Sequence, residues 1–122
     1  MMETLHNNTK QTEIPLVTKI IELYKIFYQY LELFPKKDKY ALGAKCEKYL
    51  LETLELFLAA GSAPLIDKKR PVQQANVKFD ALKIFIRLAK DLKMLDIKKY
   101  IELQKYLQEI GRMLGGWQKS LI

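Results

Sequence analysis

The sequence predicts an all-α protein, an antiparallel up-down-up-down four-helix bundle, and three observations carry that expectation. Apolar residues recur every three or four positions along four stretches of about 20 residues or more. Short breaks separate the stretches, at Pro35, at Gly61-Ser62-Ala63-Pro64 and at Asp96. No segment alternates apolar and polar residues with the period of two that a half-buried strand requires. Long helices joined by short turns favour antiparallel neighbours, so the up-down arrangement is the default.

The first helix is expected to start near Pro15, a residue suited to a first helical turn, and to stop at Phe34 because Pro35 follows. Its seam reads Val17, Ile20, Tyr24, Phe27, Leu31 and Phe34. Residues 1–12 are polar and are expected to form a flexible tail, leaving 13–122 as one domain. The second helix runs from about Asp38, a candidate N-cap, to Ala60, with Leu42, Cys46, Leu50, Leu54 and Phe57 on one face. The third begins near Pro71 and ends around Leu95, with Ala75, Leu82, Phe85, Ala89 and Leu92 inward. Asp96 caps the fourth, which continues to about Ser120 along a seam of Tyr100, Leu103, Leu107, Ile110, Leu114 and Trp117.

Three glycines, Gly111, Gly115 and Gly116, interrupt that last helix. Each costs about 0.5–1 kcal/mol against alanine, so they call for a reason. Gly115-Gly116 would suit a C-terminal cap, whereas Gly111, with the seam continuing beyond it, is expected to admit a closely packed second helix. Ile26, Tyr30, Leu33, Phe79 and Ile86 are large apolar residues outside the main seams. Burying them is expected to require self-association.

The chain has 122 residues, of which 49% are hydrophobic and 29% charged, the balance of a single globular domain. No apolar run has the length of a membrane span and the N-terminus has no signal-peptide core, so a cytoplasmic protein is expected. The formal charge is +7, and its distribution is uneven. Between Asp67 and Lys99 ten Lys and Arg stand against four Asp, so nearly the whole excess belongs to one loop and the third helix with its following turn. On a wheel of 100° per residue, Lys83, Arg87 and Lys90 fall within about 60° of one another, on the side away from the seam. Lys78 lies on the same helix, and Lys68-Lys69-Arg70 place a basic loop at its start. Such a surface attracts polyanions by counterion release, with little base specificity. A lysine-rich face is also what an ordinary solvated helix presents, and the pattern alone does not separate the two.

The run Glu109-Ile110-Gly111-Arg112-Met113-Leu114-Gly115-Gly116-Trp117 resembles the C-terminal signature of the accessory variability determinant (Avd) family of diversity-generating retroelements. Phe34-Pro35 with Lys39-Tyr40-Ala41-Leu42-Gly43 looks like the corner between that family's first two helices. Ala75-Asn76-Val77-Lys78 and Leu82-Lys83-Ile84-Phe85-Ile86-Arg87-Leu88 look like its third helix, and the likeness covers nearly everything after about Leu16. The resemblance implies a homopentameric four-helix protein whose basic surface binds template RNA, with DNA as a further candidate, and contacts the reverse transcriptase. Lys83 and Arg87 occupy the two basic places of the family's Leu-Arg-x-x-x-Arg pattern. Lysine at the first keeps the charge but loses the planar fork that grips phosphate in two places. Lys39 likewise stands where the family often has arginine. Arg112, inside the signature, reads either as a further contact to polymerase or RNA or as a structural ion pair with a neighbouring helix or subunit.

Catalytic chemistry is not expected. The only histidine, His6, lies in the tail, and with a single cysteine there is no zinc constellation and no cofactor motif. Cys46 falls on an inward face and is expected to be buried and inert. Glu52, Glu55, Glu102 and Glu109 are dispersed along helices rather than paired as acid and base. Tyr28, Tyr30 and Tyr106 stay open for interface or RNA contacts. The alternatives are a four-helix protein of the kind encoded within ribosomal-RNA intervening sequences, and a structural adaptor without nucleic-acid affinity.

Overall fold

The structure is a computed structural model that describes the backbone of residues 2–121 and the side chains of residues 13–121. The tail expected at residues 1–12, with His6, lies outside the described side chains. Four long helices carry the chain: α1 (Met2–Leu31), α2 (Ala44–Ser62), α3 (Lys69–Asp91) and α4 (Ile97–Ser120). No strand occurs among the described residues. No helix there is long and apolar enough to cross a membrane.

Pro15 sits inside α1 rather than in its first turn, so the helix lacks one backbone donor there. The buried line of α1 is Leu16, Ile20, Leu23, Phe27 and Leu31. Val17 and Tyr24, expected in the seam, pack half-buried at its edge, and Tyr24 donates its hydroxyl hydrogen to Glu47 across 2.9 Å. Leucine is the better occupant of the dry position because a tyrosine hydroxyl must keep a polar partner.

The first corner turns at Pro35, whose carbonyl accepts from the backbone N–H of both Asp38 and Lys39 at 2.9 Å. Helix therefore resumes at Lys36, two residues ahead of the expected Asp38 cap, and Asp38 makes no capping bond. A wider π-type turn, Lys39–Gly43, leads into α2. Gly43 is buried at its end, where a Cβ would run into Leu31, Phe34 and the Asp38 carbonyl. Only glycine lets α1 and this turn approach so closely.

At the far end of α2 the buried Lys68 donates to the carbonyls of Ala60 at 2.7 Å and Gly61 at 3.0 Å. These are orphan acceptors of a helix C-terminus, where a cation also suits the helix dipole. α3 ends at Asp91 rather than near Leu95. Lys93 takes a left-handed conformation with φ 65°, while the N–H of Met94 bonds the Ala89 carbonyl and that of Lys93 the Lys90 carbonyl, both at 2.9 Å. That pattern is the Schellman stop, and it turns Leu92, expected inward, out to 59% exposure. Asp96 caps α4 as expected, accepting from the Lys99 backbone at 2.8 Å and its ammonium at 2.7 Å.

Each helix packs against its neighbours in sequence, and α4 closes on α1. Gly61 lies beside Glu13 and Gly43 beside Leu31. Tyr49 of α2 meets Phe85 of α3 at 5.2 Å. Lys19 of α1 pairs with Glu109 of α4 at 3.2 Å, and Tyr30 donates to Glu102 at 2.5 Å. Lys19 and Glu109 lie midway along their helices, and the other pairs bring residues nearer the start of one helix to residues nearer the end of its neighbour. Phe57 and Trp117 fill one end of the core, with ring centroids 6.5 Å apart.

Phe79 and Ile86, expected to need a partner subunit, are core residues, and Ile26 and Tyr30 pack half-buried against the core. α3 simply presents a broader apolar face than the assigned seam. Leu33 remains exposed. The glycines of α4 also differ from expectation. A Cβ at Gly111 would make ordinary contact with Phe79 at 3.7 Å, and at Gly115 or Gly116 it would meet nothing within 4 Å among the described residues. The bulky Phe79 and Lys83 opposite Gly111 hold the two helices apart, so no close backbone approach among the described residues requires these glycines.

Candidate nucleic-acid interface

The basic residues of α3 leave the helix on two edges. Lys83 and Lys90 lean towards α4. Lys83 lines a cleft with Gly111 and Arg112, and the Lys90 ammonium lies 4.9 Å from the centre of the Tyr100 ring. Arg87 follows Lys83 by one turn, is exposed, and forms no ion pair among the described residues. The nearby carboxylates on its helix are already engaged, Asp80 with Lys83 at 3.1 Å and Asp91 with Lys90 at 3.2 Å. Exposed pairs of this kind contribute about 0–1 kcal/mol, so both lysines can exchange a carboxylate for a phosphate at little cost.

Lys78 sits on the opposite edge, against α2. Its ammonium pairs with Glu52 at 2.8 Å and lies 4.5 Å from the Tyr49 ring centre. The hydrogen bond between them holds the Glu52 carboxyl below its usual range and lifts the Lys78 ammonium above its own. Lys78 thus belongs to the α2–α3 packing and not to the group around Arg87. Lys69 and Arg70 are exposed at the start of α3, bordering a shallow depression with Ile66, Asp67 and Gln73. Lys68, expected beside them, points inward at 1% exposure, with its ammonium on the α2 carbonyls. Burial beside orphan acceptors removes it from the surface group.

Arg112 is exposed and has no ion pair among the described residues. Instead it shares one cleft with Lys83. Asn76 and Gln108 line the same cleft. Neither was expected in the site from the sequence, Asn76 having entered only as part of the family-like third helix, because neutral amides at the edge of a helix pair leave neither a charge nor a periodicity signal. Of the three tyrosines left open, Tyr28 is exposed and Tyr106 is packed against the core. Tyr30 is pushed up to about 12 by burial and by its bond to Glu102.

The Cys46 thiol, buried in α2, is pushed up to about 12 by desolvation and holds its proton at neutral pH. No group of three or more His, Cys, Asp or Glu able to hold a metal ion occurs among the described residues. The arrangement at the α3–α4 edge can neutralise phosphates and offer amide hydrogen bonds.

A model of the family described as bAvd-like matches residues 14–121. No curated protein matches the chain.

Proposed function

Because the chain belongs to the bAvd-like family, we propose that it is a non-catalytic accessory protein of a diversity-generating retroelement. It binds the reverse transcriptase and its template RNA, and holds them in a form competent for mutagenic cDNA synthesis. The observation that carries this reading is the α3–α4 edge. There Lys83 and Arg112 share a cleft, and Arg87 stands beside Lys83 with no carboxylate partner among the described residues. Lys69 and Arg70 extend the positive potential at the start of α3. Phosphate contacts of this kind position RNA without reading its sequence, while the chemistry stays with the polymerase.

The bundle has up-down-up-down connectivity in this reading, supported by the early-with-late pairing of contacts between neighbouring helices. Five copies assemble, as the family resemblance implies. Support for self-association comes from Val77, Ile84 and Leu88, which leave an apolar stripe on the outer side of α3. A reverse-transcriptase partner places the assembly in the cytoplasm.

RNA binding measured across salt concentrations tests the proposal, with wild type compared to Lys83→Ala/Arg87→Ala. Support is a steep salt dependence in wild type, with affinity and slope both reduced in a folded variant. Equal binding by the two proteins, or none by either, makes the edge a solvated face. A structural adaptor would then be the better reading, favoured by the carboxylates already paired with Lys78, Lys83 and Lys90.

A further inference from the structure

We infer that the outer face of α4 is the second wall of this surface, and that with the Lys83–Arg87 edge of α3 it forms a track for the phosphate backbone of double-helical RNA. The inference rests on the nucleic-acid reading above and adds to it the residues and the form of the ligand. Lys98, Lys105, Arg112 and Lys119 recur every seven residues along α4. Seven residues bring a helix back to within about 20° of its starting direction, so the four stand in one line. All four are exposed. At 1.5 Å per residue they lie about 10.5 Å apart and span about 31 Å.

This is not the mixed-sign pattern of an ordinary solvated helix. Glu102 lies four residues after Lys98 and Glu109 four after Lys105, the spacing at which helical ion pairs form. Neither glutamate pairs with its lysine. Both turn to α1, where Glu102 accepts from Tyr30 and Glu109 pairs with Lys19. None of the four cations has an ion pair among the described residues. α4 thus turns its negative charge towards α1 and keeps a full-length row of positive charge on its outer side.

The glycines fit the same surface. Gly111 lies between this row and Lys83 of α3, with Gly115 one turn on, and nothing among the described residues needs either to lack a side chain. Their absence of Cβ atoms lowers the floor between Lys83 and Arg112, where a phosphate backbone would settle. The track holds no stacking platform. Tyr100 is half-buried beneath Lys90, Tyr106 packs on the core and Trp117 is buried. Single-stranded sites depend on aromatic stacking worth about 1–3 kcal/mol per base. A straight, rigid row of cations without aromatics suits phosphates on the outside of a double helix, recognised by shape.

The test is binding of an RNA duplex of about 16 base pairs, and of one of its strands alone, over a range of salt. Wild type is compared with Lys98→Gln/Lys105→Gln/Lys119→Gln and with Lys83→Ala/Arg87→Ala. The three lysines touch no carboxylate among the described residues, so helicity and assembly serve as unchanged controls. The expected result is preference for duplex in wild type and a log–log salt slope shallower by about 2–3 in the triple variant, about one per lost phosphate contact. If the triple variant binds duplex with the wild-type slope while the α3 variant is weakened, the α4 wall is refuted and the α3 reading survives. A preference for the single strand refutes the duplex form of the ligand. If wild type binds neither RNA, the proposed function itself falls and the track with it.

Discussion

Replacing the two unpacked glycines of α4 by alanine should stabilise the isolated protein, which is the opposite of what close helix packing would require. At Gly115 and Gly116 an added Cβ meets no atom of the described residues within 4 Å, and both lie inside a helix with negative φ. Alanine then gains its helix propensity without steric cost, about 0.5–1 kcal/mol at each site and about 1–2 kcal/mol for the pair. Unfolding entropy of about 2.1 cal/mol/K per residue, over a chain of this length, converts 1 kcal/mol into about 4 °C. Gly115→Ala/Gly116→Ala should therefore raise Tm by about 4–8 °C, read by circular dichroism at fixed protein concentration. Gly43→Ala is the matched control. There the new methyl meets Leu31, Phe34 and the Asp38 carbonyl, and overpacking of this kind costs about 1–3 kcal/mol. A lower Tm for the α4 pair, or a higher one for Gly43→Ala, would refute the packing described here.

Three further outcomes follow from single side chains. Lys93→Gly should add about 0.5–1 kcal/mol to stability, because glycine adopts the left-handed stop of α3 without a Cβ penalty; thermal melting measures it. Lys68→Ala should cost about 2–3 kcal/mol, since it strips a buried ammonium from two helix-end carbonyls, and should leave the salt slope of RNA binding unchanged. Asp96 is held below its usual range by the hydrogen bonds it accepts from the Lys99 ammonium and backbone. A depressed carboxyl contributes stability above its unfolded pKa and loses it as pH falls through its folded pKa. Asp96→Ala should accordingly lower Tm at neutral pH and flatten the decline of Tm towards acid.

Much of the fold was legible because its signals are local. Asp96 before a periodic run reads as a cap, and the seam from Leu103 to Trp117 is buried as expected. The end of α3 was hidden, because its stop uses Lys93 where a glycine would have announced it. In α1 two apolar lines run side by side, Leu16 and Leu23 against Val17 and Tyr24, and only the neighbouring helices decide which is dry. The wheel placed Lys83, Arg87 and Lys90 on one edge. It could not reveal that Lys68 faces two carbonyls of another helix or that Glu52 holds Lys78, since both depend on contacts distant along the chain. The row on α4 was present in the sequence at a spacing of seven, but its meaning depends on where Glu102 and Glu109 turn.

The most direct test of the proposed accessory role is cDNA synthesis by the reverse transcriptase of a diversity-generating retroelement, on its template RNA, with the chain present, absent, or carrying Lys83→Ala/Arg87→Ala. Template-specific cDNA that requires the wild-type chain and falls sharply with the folded variant is the expected result. The same yield and the same products with the chain left out would contradict it.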